Sequence, residues 1–211
     1  FFKDLKIIIQ DSISAIQTKK QNKNYKTLIY IFIATLITGI MGIILQYRVE
    51  KLIVNPKIIC IFLMITGFIL LWSEKLYKGD KKIDLKSTLL IAIAQGLAIF
   101  PGFSRSGFTI AAALFLGINR IEAARFSFLI SIPVIALASM CYPLLKLNLS
   151  DIAQFNFKAI ILGFITSFIV GYLCIKYFMH LLKKITLKFF GYYCFAASVV
   201  MFLLFQFCYH V

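Results

Sequence analysis

Charge-free stretches recur along the chain at lengths suited to a bilayer. Residues 27–47 supply 21, about 32 Å as a helix against a hydrocarbon core of about 30 Å. Residues 58–73 supply 16, and Leu52 to Val54 extend that span past Lys57, whose long side chain can snorkel. Residues 126–145, 159–175 and 189–211 supply 20, 17 and 23. Five spans are therefore expected, near 27–47, 52–73, 126–145, 159–175 and 189–211, within one membrane domain over 1–211. Pro133 and Pro143 mark places where the fourth hydrophobic region can kink, which neighbouring helices tolerate in a membrane. Residues 1–26 alternate differently. Phe1, Phe2, Leu5, Ile8, Ile9, Ile13 and Ile16 recur at roughly helical spacing among Lys3, Asp4, Lys6 and Lys19, which predicts an amphipathic segment at the interface.

The segment 87–119 breaks the rule. It is apolar throughout except for Arg105 near its middle. An arginine facing lipid at mid-bilayer costs at least about 2.5–3.5 kcal/mol. Pro101-Gly102 and Ser106-Gly107 interrupt the helix around it. The two arms, 88–99 and 108–119, would each span only about 18 Å. Neither can cross alone, so a re-entrant hairpin is expected, turning at Pro101–Gly107. Irregular backbone at that depth must be covered by protein or line a cavity.

Composition agrees with the pattern. Hydrophobic residues make up 61% of the 211 and charged residues 15%, with a mean hydropathy of +0.92. A soluble domain is about a quarter charged, so a soluble enzyme, a disordered tail and a collagen-like chain are excluded. The 23 Lys and Arg against 8 Asp and Glu do not argue for nucleic acid, because the cations sit in short clusters between apolar runs. A hairpin that returns to its own side places 17 of them on one face (1–26, 74–86, 120–125, 176–188) and 5 on the other (48–57, 146–158). A single crossing would give 13 against 9. The Lys-rich face is then cytoplasmic, and the hairpin turn opens toward the outer face. The fold expected is all-α and polytopic.

The turn, PGFSRSGFTI at 101–110, carries the candidate chemistry. Ser104, Ser106 and Thr109 flank Arg105, and Gly102 and Gly107 let backbone N–H groups approach a ligand. Ser106 or Gly107 would start the second arm, whose N-terminus favours phosphate. Arg105 adds a planar fork for phosphate oxygens. No acid occurs between Asp84 and Glu122 to cancel the field. The plainer reading keeps Arg105 as a snorkelling loop residue with the serines as helix caps. Gln95 and the Arg120/Glu122/Arg125 group read as structural, the latter as a loop with a Glu122–Arg125 pair. The five cysteines read as small buried hydrophobes, and His180 and His210 lack metal-ligand spacing.

These residues also carry a resemblance. PGFSRSGFTI, preceded by AQGLAIF (94–100) and followed by NRIEAARFSFLISIPVI (119–135), resembles the second signature region of undecaprenyl-diphosphatases, bacterial membrane phosphatases associated with bacitracin resistance. The resemblance implies removal of the terminal phosphate of undecaprenyl diphosphate, leaving the monophosphate carrier lipid for cell-wall synthesis. It implies that Arg105 binds and stabilises the diphosphate with Ser104 and Thr109 beside it, and that Ser106, Gly102, Gly107 and Gln95 shape the substrate site. It also implies the second half of an inverted-repeat architecture. The family's first signature, an (E/Q)xxxE stretch with a serine-rich turn and a histidine, has no match here, and Ile99 stands where the second repeat would echo its second carboxylate. The general acid or base, and the carboxylates for a divalent cation (magnesium or calcium), are therefore expected upstream of Phe1. Ser104 as nucleophile and an activated water stay equally open. The implied partners are a polyprenyl diphosphate lipid and the membrane, with a homodimer left open. A broken-helix transporter and a lipid-phosphate binding protein without hydrolase activity are the competing classes.

Overall fold

In the computed structural model, residues 1–18, 22–53, 55–77, 79, 81–146 and 156–208 are described. They form α1 (Phe2–Thr18), α2 (Lys23–Ile53), α3 (Pro56–Leu76), α4 (Leu85–Leu97), α5 (Arg105–Phe115), α6 (Arg120–Lys146), α7 (Phe157–Leu181) and α8 (Lys188–Cys208). Helix α3 starts at Pro56 because Asn55 caps it, its side chain accepting from the Lys57 N–H at 3.1 Å. A proline at the first helical position wastes no hydrogen bond. Asp84 and Ser87 form a reciprocal capping box that opens α4, with both bonds at 2.8 Å. The Ser87 hydrogen bonds hold the Asp84 carboxyl below its ordinary pKa.

Five helices (α2, α3, α6, α7, α8) are long and apolar enough to cross a membrane. The chain is an all-α polytopic membrane protein. Helices α4 and α5, with 13 and 11 residues, reach only about 20 and 17 Å. They form a hairpin whose feet meet: the Lys81 N–H donates to the Gly117 carbonyl at 2.9 Å. The chain thus leaves and returns at one end. This hairpin is also the best-covered part of the fold. Ile91, Ala92, Ile110, Ala111, Leu114 and Ile118 are at most 1% exposed, packed with Ala124 and Ile130 of α6. Protein rather than lipid surrounds the broken segment.

Elsewhere close contact depends on small residues. A Cβ on Gly67 of α3 would lie 2.8 Å from the Gly191 carbonyl of α8, and Ser198 of α8 donates to the Cys60 carbonyl at 2.7 Å. None of the residues of α7 is buried, which in a bilayer leaves its surface to lipid.

The boundaries differ from the expected ones because helices run on into the charged flanks. Helix α2 takes in Lys23 and Lys26 at its start and Leu52 at its end, so residues 1–26 are not one amphipathic segment and Leu52 does not belong to the second span. Helices α6 and α7 extend the 126–145 and 159–175 spans at both ends, and α6 stays helical through Pro133 and Pro143. Val54, the 147–155 part of the expected outer loop and residues 209–211 lie outside the described residues. On α1 the inward face is Leu5, Ile8, Ser12 and Ala15, whereas Ile9 and Ile13 point outward. Cys60 and Cys194 are buried, but Cys141 and Cys174 are exposed, because α7 and that part of α6 face away from the core.

Residues 120–125 are not a loop, and Glu122 does not pair with Arg125. They form the first turns of α6, and each arginine reaches another helix. The Arg120 guanidinium makes two bonds to Glu74 of α3, at 2.8 and 2.7 Å, and stacks over Tyr77. Glu74 also accepts from the Leu187 N–H at 2.9 Å, which joins α3 and α6 to the start of α8. Arg125 donates to Asp4 of α1 at 2.7 Å.

Candidate functional site at the hairpin turn

Three local facts build the turn. Gly102 has φ 97°, and a Cβ there would stand 2.3 Å from the Ile59 carbonyl of α3, so the chain can reverse there only with glycine. Phe103 then stacks on Phe62 of α3 at 4.4 Å and leans on Phe108 at 4.5 Å. The Ser104 N–H donates to Thr66 of α3 at 3.3 Å. Helix α3 therefore acts as the seat on which the turn rests.

Ser104 is the N-cap of α5. Its hydroxyl accepts from the Gly107 N–H at 3.1 Å. Gly107 packs tightly here, since a Cβ would come 3.0 Å from the Ser104 side chain. The first helical residue is Arg105 itself, not Ser106 or Gly107 as the sequence suggested. The cap falls one or two residues earlier because Thr66 and the Gly102 turn fix where extended backbone ends. Arg105 and Ser106 are half-buried. Their N–H groups lie in the first helical turn and lack intrahelical acceptors. The Arg105 guanidinium has no ion-pair or hydrogen-bond partner among the described residues.

Thr109 lies one turn further on and is fully buried. Its hydroxyl meets the Arg105 and Ser106 carbonyls at 3.0 and 3.1 Å and shares a short hydrogen bond with Ser127 of α6. It therefore braces the first turn of α5 from behind. Gln95 is separated from this group. Its amide is 1% exposed and donates to Thr38 of α2 at 3.0 Å, while its Oε1 finds no donor among the described residues. The structure thus brings together Gly102, Ser104, Arg105, Ser106, Gly107 and Thr109 and turns Gln95 into the α2–α4 contact.

Thr66, Ser127 and Phe62 support the turn and were not singled out from the sequence. Thr66 and Ser127 were visible as hydroxyls inside otherwise apolar spans, which is the only local signal they give. Chemically, the arrangement is an anion site: a helix N-terminus with free N–H groups and an unneutralised guanidinium beside it. Among the described residues no three His, Cys, Asp or Glu side chains cluster to hold a metal ion.

Comparisons with known proteins cover most of the chain. The chain matches the family model described as bacitracin resistance protein BacA over residues 1–200. A protein of Methanosphaera stadtmanae named undecaprenyl-diphosphatase is 42% identical over 175 residues, covering 81% of this chain and 61% of its own length. The protein so named in Methanobrevibacter smithii is 38% identical, covering 85% and 65%. The one in Halothermothrix orenii is 38% identical over 202 residues, covering 94% and 77%. The chain thus spans under two thirds of the length of the first two relatives. With a family match that runs through every helix from α1 into α8, the chain belongs to the bacitracin resistance protein BacA family.

Proposed function

We propose that the complete protein hydrolyses undecaprenyl diphosphate to undecaprenyl phosphate and inorganic phosphate, recycling the carrier lipid for cell-wall synthesis and conferring bacitracin resistance. The observation that carries this is Arg105, placed at the N-terminus of a broken, protein-covered helix with no counter-ion among the described residues. A diphosphate supplies the missing negative charge. As the phosphoryl group transfers, charge accumulates on its oxygens, and fixed donors that need no reorganisation stabilise it most. Arg105 and the N–H groups of Arg105 and Ser106 are such donors. Ser104 and Thr109 hold them in place, through the cap and through the contact with Ser127. Gly102 and Gly107 let the turn pack closely against α3 and Ser104.

The nucleophile and the acid or base form part of the same proposal and are assigned to no described residue. A divalent cation, magnesium or calcium, is proposed with carboxylate ligands upstream of Phe1. The turn is proposed to open on the outer face of the cell membrane, with the Lys-rich end cytoplasmic and a homodimer as the candidate assembly.

The test is phosphate release from undecaprenyl diphosphate by the purified complete protein. Arg105→Ala should lower kcat about 10²–10³-fold, the usual loss for one strong transition-state donor. Hydrolysis at the unaltered rate would overturn the role. In the same assay EDTA should abolish turnover and added magnesium or calcium restore it.

A further inference from the structure

At the end of the molecule where the hairpin feet meet, four of the described acids are already engaged. Asp4 holds Arg125 at 2.7 Å. Asp11 accepts from Asn24 at 2.5 Å and, through its carbonyl, from Asn22 at 3.1 Å. Asp84 caps α4 and lies 3.8 Å from Lys81. Glu74 is taken by Arg120. Lys23, Lys26 and Lys82 have no ion-pair partner among the described residues. All three line one cavity of about 480 Å³, a volume typical of small-molecule sites.

The cavity has fixed walls. The Asp11 contacts tie α1 to the start of α2, and Asp4–Arg125 ties α1 to α6. Among the described residues Glu122 is the one acid on its lining, against three lysines without an ion-pair partner and the already neutralised Arg125. Its inner side is apolar: Tyr30 of α2 with Phe126 and Leu129 of α6. A cationic mouth above an apolar wall fits an amphiphile with a phosphate head. The length of α5, about 17 Å, separates this cleft from Arg105, which does not line it.

We propose that this cleft is a second phosphate site, separate from the turn, which takes the headgroup of a phosphate-bearing membrane lipid while the chain lies along Tyr30, Phe126 and Leu129. Native mass spectrometry of the complete protein tests it, with dioleoyl phosphatidic acid, dioleoylglycerol (the same tails without phosphate) and inorganic phosphate as probes. An Arg105→Ala background removes any contribution from the turn. Phosphatidic acid should be retained at least about ten-fold more tightly than dioleoylglycerol, the scale of one or more charge-assisted hydrogen bonds. Lys23→Gln/Lys26→Gln/Lys82→Gln should erase that preference. Lys183→Gln/Lys184→Gln/Lys188→Gln, which removes the same charge from the same end, should keep it. Equal loss in both triples would reduce the effect to bulk surface charge and overturn the site. Unchanged retention in the first triple would overturn it as well. Displacement of the lipid by millimolar inorganic phosphate would assign the cleft to the free anion instead. Thermal transitions check that each variant folds, and Lys82→Glu alone, which should also lose the preference, serves if the first triple does not.

Discussion

At position 102 the backbone leaves a single residue type. With φ at 97° and the Ile59 carbonyl 2.3 Å from any Cβ, Gly102→Ala must displace either the turn or α3. Left-handed backbone alone costs a non-glycine residue about 1–2 kcal/mol, and the contact adds to it. Since Ser104 and Arg105 follow within three residues, the variant of the complete protein should show both a lower thermal transition and weaker phosphate release. An unchanged melting profile with full activity would contradict the tight seat on α3. The residues of this turn were legible in the sequence for a physical reason: an arginine flanked by hydroxyls and helix breakers inside an apolar segment has few other uses. Thr66 and Ser127 were not, since a hydroxyl in an apolar helix becomes informative only once its neighbour helix is known. Gln95 reads as structural from the residues alone and as part of the substrate site through the resemblance. It lies close to the turn along the chain, but the rotation of α4 points its amide at Thr38.

Among the helices, the link that sequence reasoning placed wrongly has large consequences. Glu122 and Arg125 have the spacing of an intrahelical pair, yet a local spacing rule cannot compete with Glu74, whose side chain is 1% exposed and anchored by the Leu187 N–H. Removing one partner of a buried pair leaves the other uncompensated, which costs about 3–5 kcal/mol. Arg120 keeps 29% of its side chain exposed, which favours the lower end of that range. Glu74→Ala should therefore unfold at markedly lower temperature or denaturant concentration in detergent, and Glu74→Gln, which can still accept from Leu187, should lose less. Equal and small losses in both would show that the clamp does not hold α3, α6 and α8 together. The spans themselves were legible from apolar run length. Their ends were not, because α2, α6 and α7 continue through lysines and arginines whose long side chains reach water from within a helix.

For the whole molecule the decisive property is the asymmetry of 17 cations against 5 between the segments at its two ends, a count that depends on whether residues 85–115 cross or return. The Lys81–Gly117 hydrogen bond makes the feet neighbours, so any label that reaches one foot must reach the other. Single cysteines at Lys82 and Glu122, both exposed, placed in a complete protein whose native cysteines are alanine, should therefore react alike with a membrane-impermeant maleimide. In intact cells both should stay unlabelled until the membrane is permeabilised, as the positive-inside bias requires. Ser106→Cys at the turn should react before permeabilisation, because the proposed site opens outward. Opposite reactivity at positions 82 and 122 would make the segment a crossing and reverse the side assigned to every later loop. Labelling of both feet from outside would keep the hairpin but invert the protein, and Arg105 would then meet its diphosphate from the cytoplasm.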